Sequence, residues 1–419
     1  MSELTPNPAP QSRSELRVRS SASKAPGIAR HGRLPKPKAW PMVLGIIGGT
    51  LAVVLFSTAT VAGIVFNSLY SKVDAVEIIQ ATEGPIPAIG AIEGGFNILI
   101  VGSDTRQGQD GIGGSADEET STLNDVNMLL HVSQDQTNAV AISFPRDMVV
   151  GIPECPWDDG SGDTKGYSTE PINVALYYGG LNCVAMTVSE LTGLPIQFAG
   201  MITFNGVIAM GDAIGGVPVC VNGAIHDYNT GLMIDQAGTY ELRGVDALAF
   251  LRSREGVGDG SDLGRIASQQ VYLGSLVRTL KSADTLGDPK KLYELADAAL
   301  THMQLSTSLA QVDTMIAIAQ ALKDIPLERV TFVQYPGTTG GDGVYLGKVQ
   351  PNQALGDQLM AYVKADQPFL LANPGGIGAE IDPNAAPVAT DPTIDNTGLP
   401  VLDIPGSTAA TPMCSIANE

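Results

Sequence analysis

Apolar residues fall along this chain in short runs separated by Gly-, Asp- and Pro-rich stretches, with one long exception near the start. From Pro41 to Phe66 the side chains are almost uniformly apolar, and no charge lies between Lys38 and Lys72. Crossing the hydrocarbon of a bilayer takes about 20 such residues, so 41–66 predicts one transmembrane helix. Residues 1–40 hold eight Lys/Arg against two acids, which places that side in the cytoplasm. A cleaved leader is the competing reading, and the length of the basic arm opposes it.

Beyond the anchor the runs are shorter. Phe96–Val101, Val126–Val132 and Ala139–Phe144 read as strands, the last two joined by a turn. Asn173–Leu191 reads as a helix ending at Gly193-Leu-Pro. Met201–Phe204 and Val217–Val221 predict strands on either side of a helix over Asn205–Ile214. Ala249–Arg254 predicts another strand, followed by a long helix over Leu263–Ser282, two helices over 290–301 and 307–322, and a last strand at Arg329–Tyr335. Strands alternating with helices argue for an α/β fold, an α-β-α sandwich with helices on both faces of a central sheet. The expected organisation is a disordered basic arm (1–38), the membrane helix (41–66), a stalk (67–92), one extracytoplasmic domain (93–370) and a Pro/Ala/Asp/Thr-rich disordered tail (371–419).

Charge sharpens this picture. The net charge of −20 hides a basic arm; the remainder carries 16 basic and 42 acidic side chains. Such a body repels phosphate backbones, so nucleic acid is excluded as a partner. Four cysteines, Cys155, Cys183, Cys220 and Cys414, all follow the anchor. They allow three full pairings. Cys155–Cys183 is favoured because it ties a Gly/Asp-rich loop to the following helix, a closure worth about 3 kcal/mol. Cys220 reads as a buried strand residue.

The chain has no GxSxG, HExxH or GxxxxGK[ST], and its four His supply a His-based triad poorly. His131, inside a strand, reads as structural. What stands out is a set of Asp and Arg at strand ends. Asp104 and Arg106 follow the first strand, Asp125 opens the second, and Arg146 and Asp147 close the third. Arg252 and Arg254 are two apart at a strand end, hence on one face. Asp262 precedes the long helix, on which Arg265 and Gln269 share a face. Like charges held together need an anion between them, and guanidinium forks match phosphate oxygens. A diphosphate is therefore the natural guest. Asp104 and Asp125 suit Mg²⁺, a hard cation that takes one or two carboxylates plus phosphate oxygens, or else they salt-bridge the arginines.

The blocks Phe96–Arg106, Ala141–Asp147, Ile172–Gly180, Asp212–Val217, Ala247–Arg254 and Gly258–Gln270, in that order, resemble the signature blocks of the LytR-CpsA-Psr domain. The resemblance spans roughly residues 95–282. It implies a central mixed sheet and a phosphotransferase that moves a glycopolymer from a polyprenyl-pyrophosphate carrier onto peptidoglycan, at a membrane. It further implies that Asp104 and Asp125 hold Mg²⁺, and that Arg146, Arg252, Arg254 and Arg265 grip the pyrophosphate. Asp262 and Gln269 would complete the site, Asp147 would brace Arg146, and the polyprenyl tail would lie near Asn205–Val217. Many members carry Arg where this chain has Leu123; either Arg106 supplies that charge or one phosphate contact is missing. Simple hydrolysis of the pyrophosphate, or non-catalytic sensing of it, would use the same residues. The composition and the Cys155/Cys183 placement look actinobacterial.

Overall fold

Strands long in Val, Ile, Leu and Phe with both faces covered need no polar alternation, and the centre of this fold is built from them. The computed structural model describes residues 40, 50, 74–78, 94–106, 109, 122–157, 161, 164–282, 285, 288–385 and 394–418. Two sheets carry the domain. Their strands in chain order are β1 (Asp74–Val76), β2 (Phe96–Ser103), β3 (Asn124–Val132), β4 (Ala139–Phe144), β5 (Phe198–Ile202) and β6 (Val217–Val221). There follow β7 (Gly238–Leu242), β8 (Met303–Ser306), β9 (Val330–Gln334), β10 (Ala379–Ile381), β11 (Gly406–Thr408) and β12 (Met413–Ser415). The helices are α1 (Ala175–Thr192), α2 (Phe204–Ile214), α3 (Gly244–Arg252), α4 (Asp262–Leu280), α5 (Pro289–His302), α6 (Val312–Asp324) and α7 (Gln353–Lys364).

The larger sheet has eight strands in the order β1-β8-β5-β2-β3-β4-β9-β11. It is mixed: β1/β8, β2/β5 and β4/β9 are parallel, and the other neighbours antiparallel. Side chains alternate between its faces. Leu99, Val101, Leu129 and Ile142 pack with α1 and α7 on one face, while Ile98, Met128, Ala141 and Phe332 pack with α6 and part of α4 on the other. The expected α-β-α arrangement with a mixed sheet is what the domain shows. A four-stranded sheet, β7-β6-β12-β10, packs with α3 and α4 around a separate core.

Four expectations change. Ala249–Arg254 is no strand: it is the C-terminal half of α3, which buries Ala247, Leu248, Ala249 and Phe250. A short apolar run does not distinguish strand from buried helix by periodicity. The tail expected to be disordered holds β10, β11 and β12, and β12 lies between β6 and β10. Its strands of two or three residues sit among Pro and Gly turns, so no apolar run is long enough to be seen in the sequence. Cys220 is not a solitary strand residue, because Cys220 and Cys414 face each other across β6/β12 and form a disulfide. Within the stalk, Asp74–Val76 pairs with β8 at the sheet edge. The favoured Cys155–Cys183 disulfide is present. The basic arm and, apart from Thr50, the expected membrane helix lie outside the described residues, among which no helix is long and apolar enough to cross a membrane.

Candidate functional site

The ends of β2, β3 and β4 meet the C-terminus of α3 and the N-terminus of α4, and the Asp/Arg set gathers there. Asp104, just past β2, donates its N–H to the Leu123 carbonyl (3.1 Å) and accepts the Leu123 N–H on Oδ1 (2.7 Å). That clamp fixes the entry to β3. Asn124, fully buried, donates to the Ile172 carbonyl (3.1 Å) and accepts the Leu176 N–H (3.1 Å), anchoring the start of α1 beside Asp125.

Arg146 is the hub. Its Nη1 donates to Asp125 Oδ1 at 2.5 Å, its backbone N–H donates to Asp262 Oδ2 at 3.2 Å, and its Nε lies 3.6 Å from Asp262 Oδ1 and 3.9 Å from Asp147 Oδ2. Arg265 Nη2 donates to the Asp125 carbonyl at 2.8 Å and sits 2.7 Å from Asp262 Oδ1, off the N–H direction, so that contact is ionic rather than hydrogen-bonded. Arg254 reaches Asp147 at 3.9 Å and Asp262 at 4.0 Å, and Lys348 reaches Asp147 at 3.5 Å. The Nε atoms of Arg146, Arg254 and Arg265 are buried with no hydrogen-bond partner. Unfilled buried donors are costly, and Asp262 Oδ1, likewise without a hydrogen-bond partner, lies among them, 3.6 Å from the Arg146 Nε and 4.0 Å from the Arg254 Nε.

Burial works against the Arg146 charge, but Asp125, Asp262 and Asp147 outweigh it and raise its pKa. Arg254 is pushed down by burial and by Arg146 and Arg265, despite Asp262 and Asp147. Arg252 is likewise pushed down by burial, with Arg106 adding to the effect and Asp125, Asp104 and Asp227 opposing it. All three remain cationic, interleaved with the carboxylates of Asp125, Asp147, Asp227, Asp262 and Glu255.

A cavity of about 430 Å³ opens among Asp125, Arg146, Asp227, Arg252, Arg254 and Arg265. A second, apolar cavity of about 260 Å³ lies against the sheet face carrying Ile100, Val126 and Met128, and is closed by Phe204, Val207 and Ile214 of α2. Asp125, Arg252 and Arg265 line both. Arg252 stands 4.5 Å over the Phe204 ring, a cation–π contact where charge meets grease. Gln269 lines the apolar cavity and donates Nε2 to the Leu251 carbonyl at 2.8 Å, holding the end of α3.

The site thus brings together Asp125, Arg146, Asp147, Arg252, Arg254, Asp262 and Arg265. Arg252 and Arg254 reach it from a helix end and the turn after it, not from one strand face. Asp104 and Arg106 sit at the rim of β2, near enough for their charges to act on Arg252. Asp227 and Lys348 were not read from the sequence. Asp227, almost wholly buried, accepts from Ser253 Oγ (2.8 Å) and the Arg254 N–H (3.0 Å) and so sets the turn that aims Arg254. Burial opposes its ionisation, but these bonds and those from Thr230 and Asn229 keep its pKa below the usual value. The Asp-Tyr-Asn-Thr-Gly turn signal was visible, whereas nothing in the sequence marks Lys348.

A family model described as LytR_cpsA_psr matches residues 65–361. Among similar proteins, the Corynebacterium glutamicum "Cell wall biosynthesis protein LcpA" is 30% identical over 285 residues, 61% of this chain and 52% of that protein. The chain therefore spans about half the length of that relative. The Bacillus subtilis "Polyisoprenyl-teichoic acid--peptidoglycan teichoic acid transferase TagT" is 23% identical over 76% of this chain and 92% of its own length. Among solved structures, the "LytR-Csp2A-Psr enzyme from Actinomyces oris" superposes with a TM-score of 0.50 at 22% identity, covering 69% of this chain and 94% of that one, a likeness of fold.

Proposed function

The chain belongs to the LytR_cpsA_psr family, and from that premise we propose that it transfers a phosphate-linked glycopolymer from a polyprenyl-pyrophosphate carrier to a hydroxyl of peptidoglycan. The observation that carries this is the junction of the two cavities: a polar pocket lined by Arg146, Arg252, Arg254 and Arg265, sharing a wall with an apolar pocket. A polyprenyl pyrophosphate has that same polarity. TagT, by its name, handles a polyisoprenyl-linked teichoic acid and delivers it to peptidoglycan.

Arg146, Arg254 and Arg265 bind the pyrophosphate oxygens, and Arg252 spans the boundary between phosphate and prenyl chain. Asp262 and Asp147 hold the arginines apart and aimed, and Asp227 aims Arg254 through its turn. The acceptor hydroxyl oxygen forms a bond to the phosphorus nearer the glycan; the bond from that phosphorus to the bridging oxygen breaks, and polyprenyl phosphate leaves, its former bridging oxygen balancing the proton that the hydroxyl gives up. The guanidiniums are in place before charge moves, so they stabilise the developing charge without reorganising.

Mg²⁺ would be held by Asp104 and by Asp125, one oxygen of which is engaged by Arg146. Asp104 and Asp125 stand at neighbouring strand ends, and hard cations accept a few carboxylates with phosphate oxygens completing the shell. When bound, the ion would neutralise phosphate charge as a Lewis acid. Elsewhere among the described residues the single ligand-type cluster, Cys220, Asp382 and Cys414, has both sulfurs in a disulfide.

The two disulfides suit an oxidising compartment outside the cytoplasm. We further propose the membrane helix at 41–66, with 1–38 inside the cell, which would hold the domain near its lipid substrate. The test is turnover of a short-chain polyprenyl-pyrophosphate glycolipid with peptidoglycan oligosaccharide, with and without Mg²⁺. Glycan modification that chelation abolishes supports the reading; release of free polymer whether or not acceptor is present would replace it with hydrolysis.

A further inference from the structure

A second feature lies across the sheet from the apolar cavity. Trp157, Tyr177 and Tyr178 form a corner of three rings: Trp157 meets Tyr177 at 6.3 Å and 86° and Tyr178 at 5.6 Å and 84°, and the two tyrosines meet at 5.6 Å and 65°. Edge-to-face packing points the edge of one ring at the face of its neighbour, so the three rings stand at angles and are not stacked. Tyr177 is 54% exposed, unusual for an aromatic on a helix whose other side is core.

The corner is held firmly for something so exposed. Trp157 follows Cys155-Pro156, and the tyrosines precede the Gly179–Gly180 break in α1, where Gly180 has φ +59°. The Cys155–Cys183 disulfide joins the two segments. At Gly179 a Cβ would come within 2.4 Å of the Pro156 carbonyl oxygen, so the backbones pass as closely as glycine allows. The rim is polar: Tyr178 Oη donates to Glu170 (2.6 Å), Lys165 donates to Ser168 (2.7 Å), and the Lys165 ammonium lies 4.0 Å over the Tyr178 ring.

Its position relates it to the chemistry. Asn173 donates its N–H to the Arg146 carbonyl at 3.1 Å, and the Leu176 N–H donates to Asn124, the neighbour of Asp125. Tyr177 is the next residue. The corner is thus tied to the arginine-lined pocket through the start of α1, on the sheet face of Leu99 and Val101, whereas the prenyl-type cavity occupies the face of Ile100 and Val126.

We infer that Trp157, Tyr177 and Tyr178 form the subsite that receives a pyranose ring of the acceptor glycan. This rests on the transferase reading above. A pyranose presents a face of C–H bonds, whose hydrogens are slightly positive and pack on the negative face of an aromatic ring. Its equatorial hydroxyl and acetamido groups need hydrogen-bonding partners around that ring, which Glu170, Lys165 and Ser168 supply. A prenyl chain would have no use for this rim and already has its own cavity on the other face. This places the acceptor on the sheet face opposite the lipid.

The chain has two tryptophans, Trp40 and Trp157. In the full-length Trp40→Phe protein, emission therefore reports Trp157 alone. Titration with a lipid-free oligosaccharide of alternating N-acetylglucosamine and N-acetylmuramic acid is expected to shift or quench that emission saturably. Tyr177→Ala, at an exposed position that leaves the fold intact by circular dichroism, should weaken the response about tenfold. Tyr177→Phe should restore it. In the transfer assay Tyr177→Ala should raise KM for acceptor by a similar factor and leave KM for the donor lipid unchanged. A rise confined to donor KM would overturn the acceptor assignment, and an absent Trp157 response in folded protein would overturn the subsite itself. If Trp157 responds but no transfer is seen in any condition, the glycan subsite stands and the transferase reading fails.

Discussion

At the scale of single residues, the site is an exercise in holding positive charges together. Arg146 and Arg265 make close contacts of 2.5–2.8 Å with Asp125 and Asp262, whereas Arg254 has carboxylates only at 3.9 and 4.0 Å and Arg252 is held chiefly by its contact with the Phe204 ring. The charge of Arg254, like that of Arg252, is therefore available to a ligand. Arg254→Ala is expected to lower turnover about 100-fold or more while leaving the thermal unfolding midpoint near that of the parent. Arg254→Lys should recover little of it, because an ammonium does not reproduce the guanidinium fork. A different residue contributes to the loss of stability just below neutral pH. His131 hydrogen-bonds to Asn97 (2.8 Å) and Asp366 (3.0 Å), and although Asp366 favours its charged form, burial outweighs that and lowers its pKa below 6.5. The unfolded chain thus takes up the proton first, so stability falls as pH drops from about 6.5 towards the lower folded-state value. Replacing His131 with Gln should flatten the unfolding free energy across that window in denaturant titrations at several pH values. An unchanged slope would mean that other groups govern it.

At the scale of elements, the N-terminal half of α4 is the organising piece. Ser261 caps it by accepting the Gly264 N–H (3.2 Å), Asp262 and Arg265 emerge from its first turn into the site, and Gly264 lets another chain segment approach. An added Cβ at Gly378 would lie 2.1 Å from the Gly264 carbonyl oxygen, which no small side-chain shift relieves. Gly378→Ala is expected to cost about 1–3 kcal/mol and to reduce activity through α4, with melting temperature and turnover falling together. Intact activity in a destabilised variant would show that the turn before β10 moved and α4 did not. The sequence revealed α4, α1 and the central strands because their apolar periods run long enough to be unambiguous. It misassigned α3, whose buried Ala247–Phe250 stretch carries no polar position to reveal its period, and it gave no hint of α7. The candidate site residues were legible all the same, since charges at element ends stand out against apolar runs whichever element they terminate.

At the scale of the molecule, the C-terminal residues complete the domain. β12 inserts between β6 and β10, β11 extends the main sheet beyond β9, and Cys414 is linked to Cys220 across 194 residues. Closing a loop of that length constrains the unfolded chain by about 5 kcal/mol. Cys220→Ser/Cys414→Ser is expected to lower stability by a sizeable part of that, read in denaturant titration under non-reducing conditions, and reduction of the parent should approach the same value. This part of the fold was illegible from composition, because very short strands between Pro and Gly turns look like a tail, and pairing across nearly 200 residues leaves no local trace. The same architecture puts one sheet end at the meeting point of an arginine-lined pocket and an apolar pocket.

The central claim is that this meeting point moves a phosphate together with its glycan. Phosphorus NMR of the products, from a defined polyprenyl-pyrophosphate glycolipid, full-length protein, Mg²⁺ and peptidoglycan oligosaccharide, tests it most directly. A new phosphodiester resonance on the oligosaccharide, appearing with equimolar polyprenyl monophosphate and absent with Arg254→Ala, is the predicted result. Two monophosphate resonances and no diester would mean that water is the acceptor and would contradict the account.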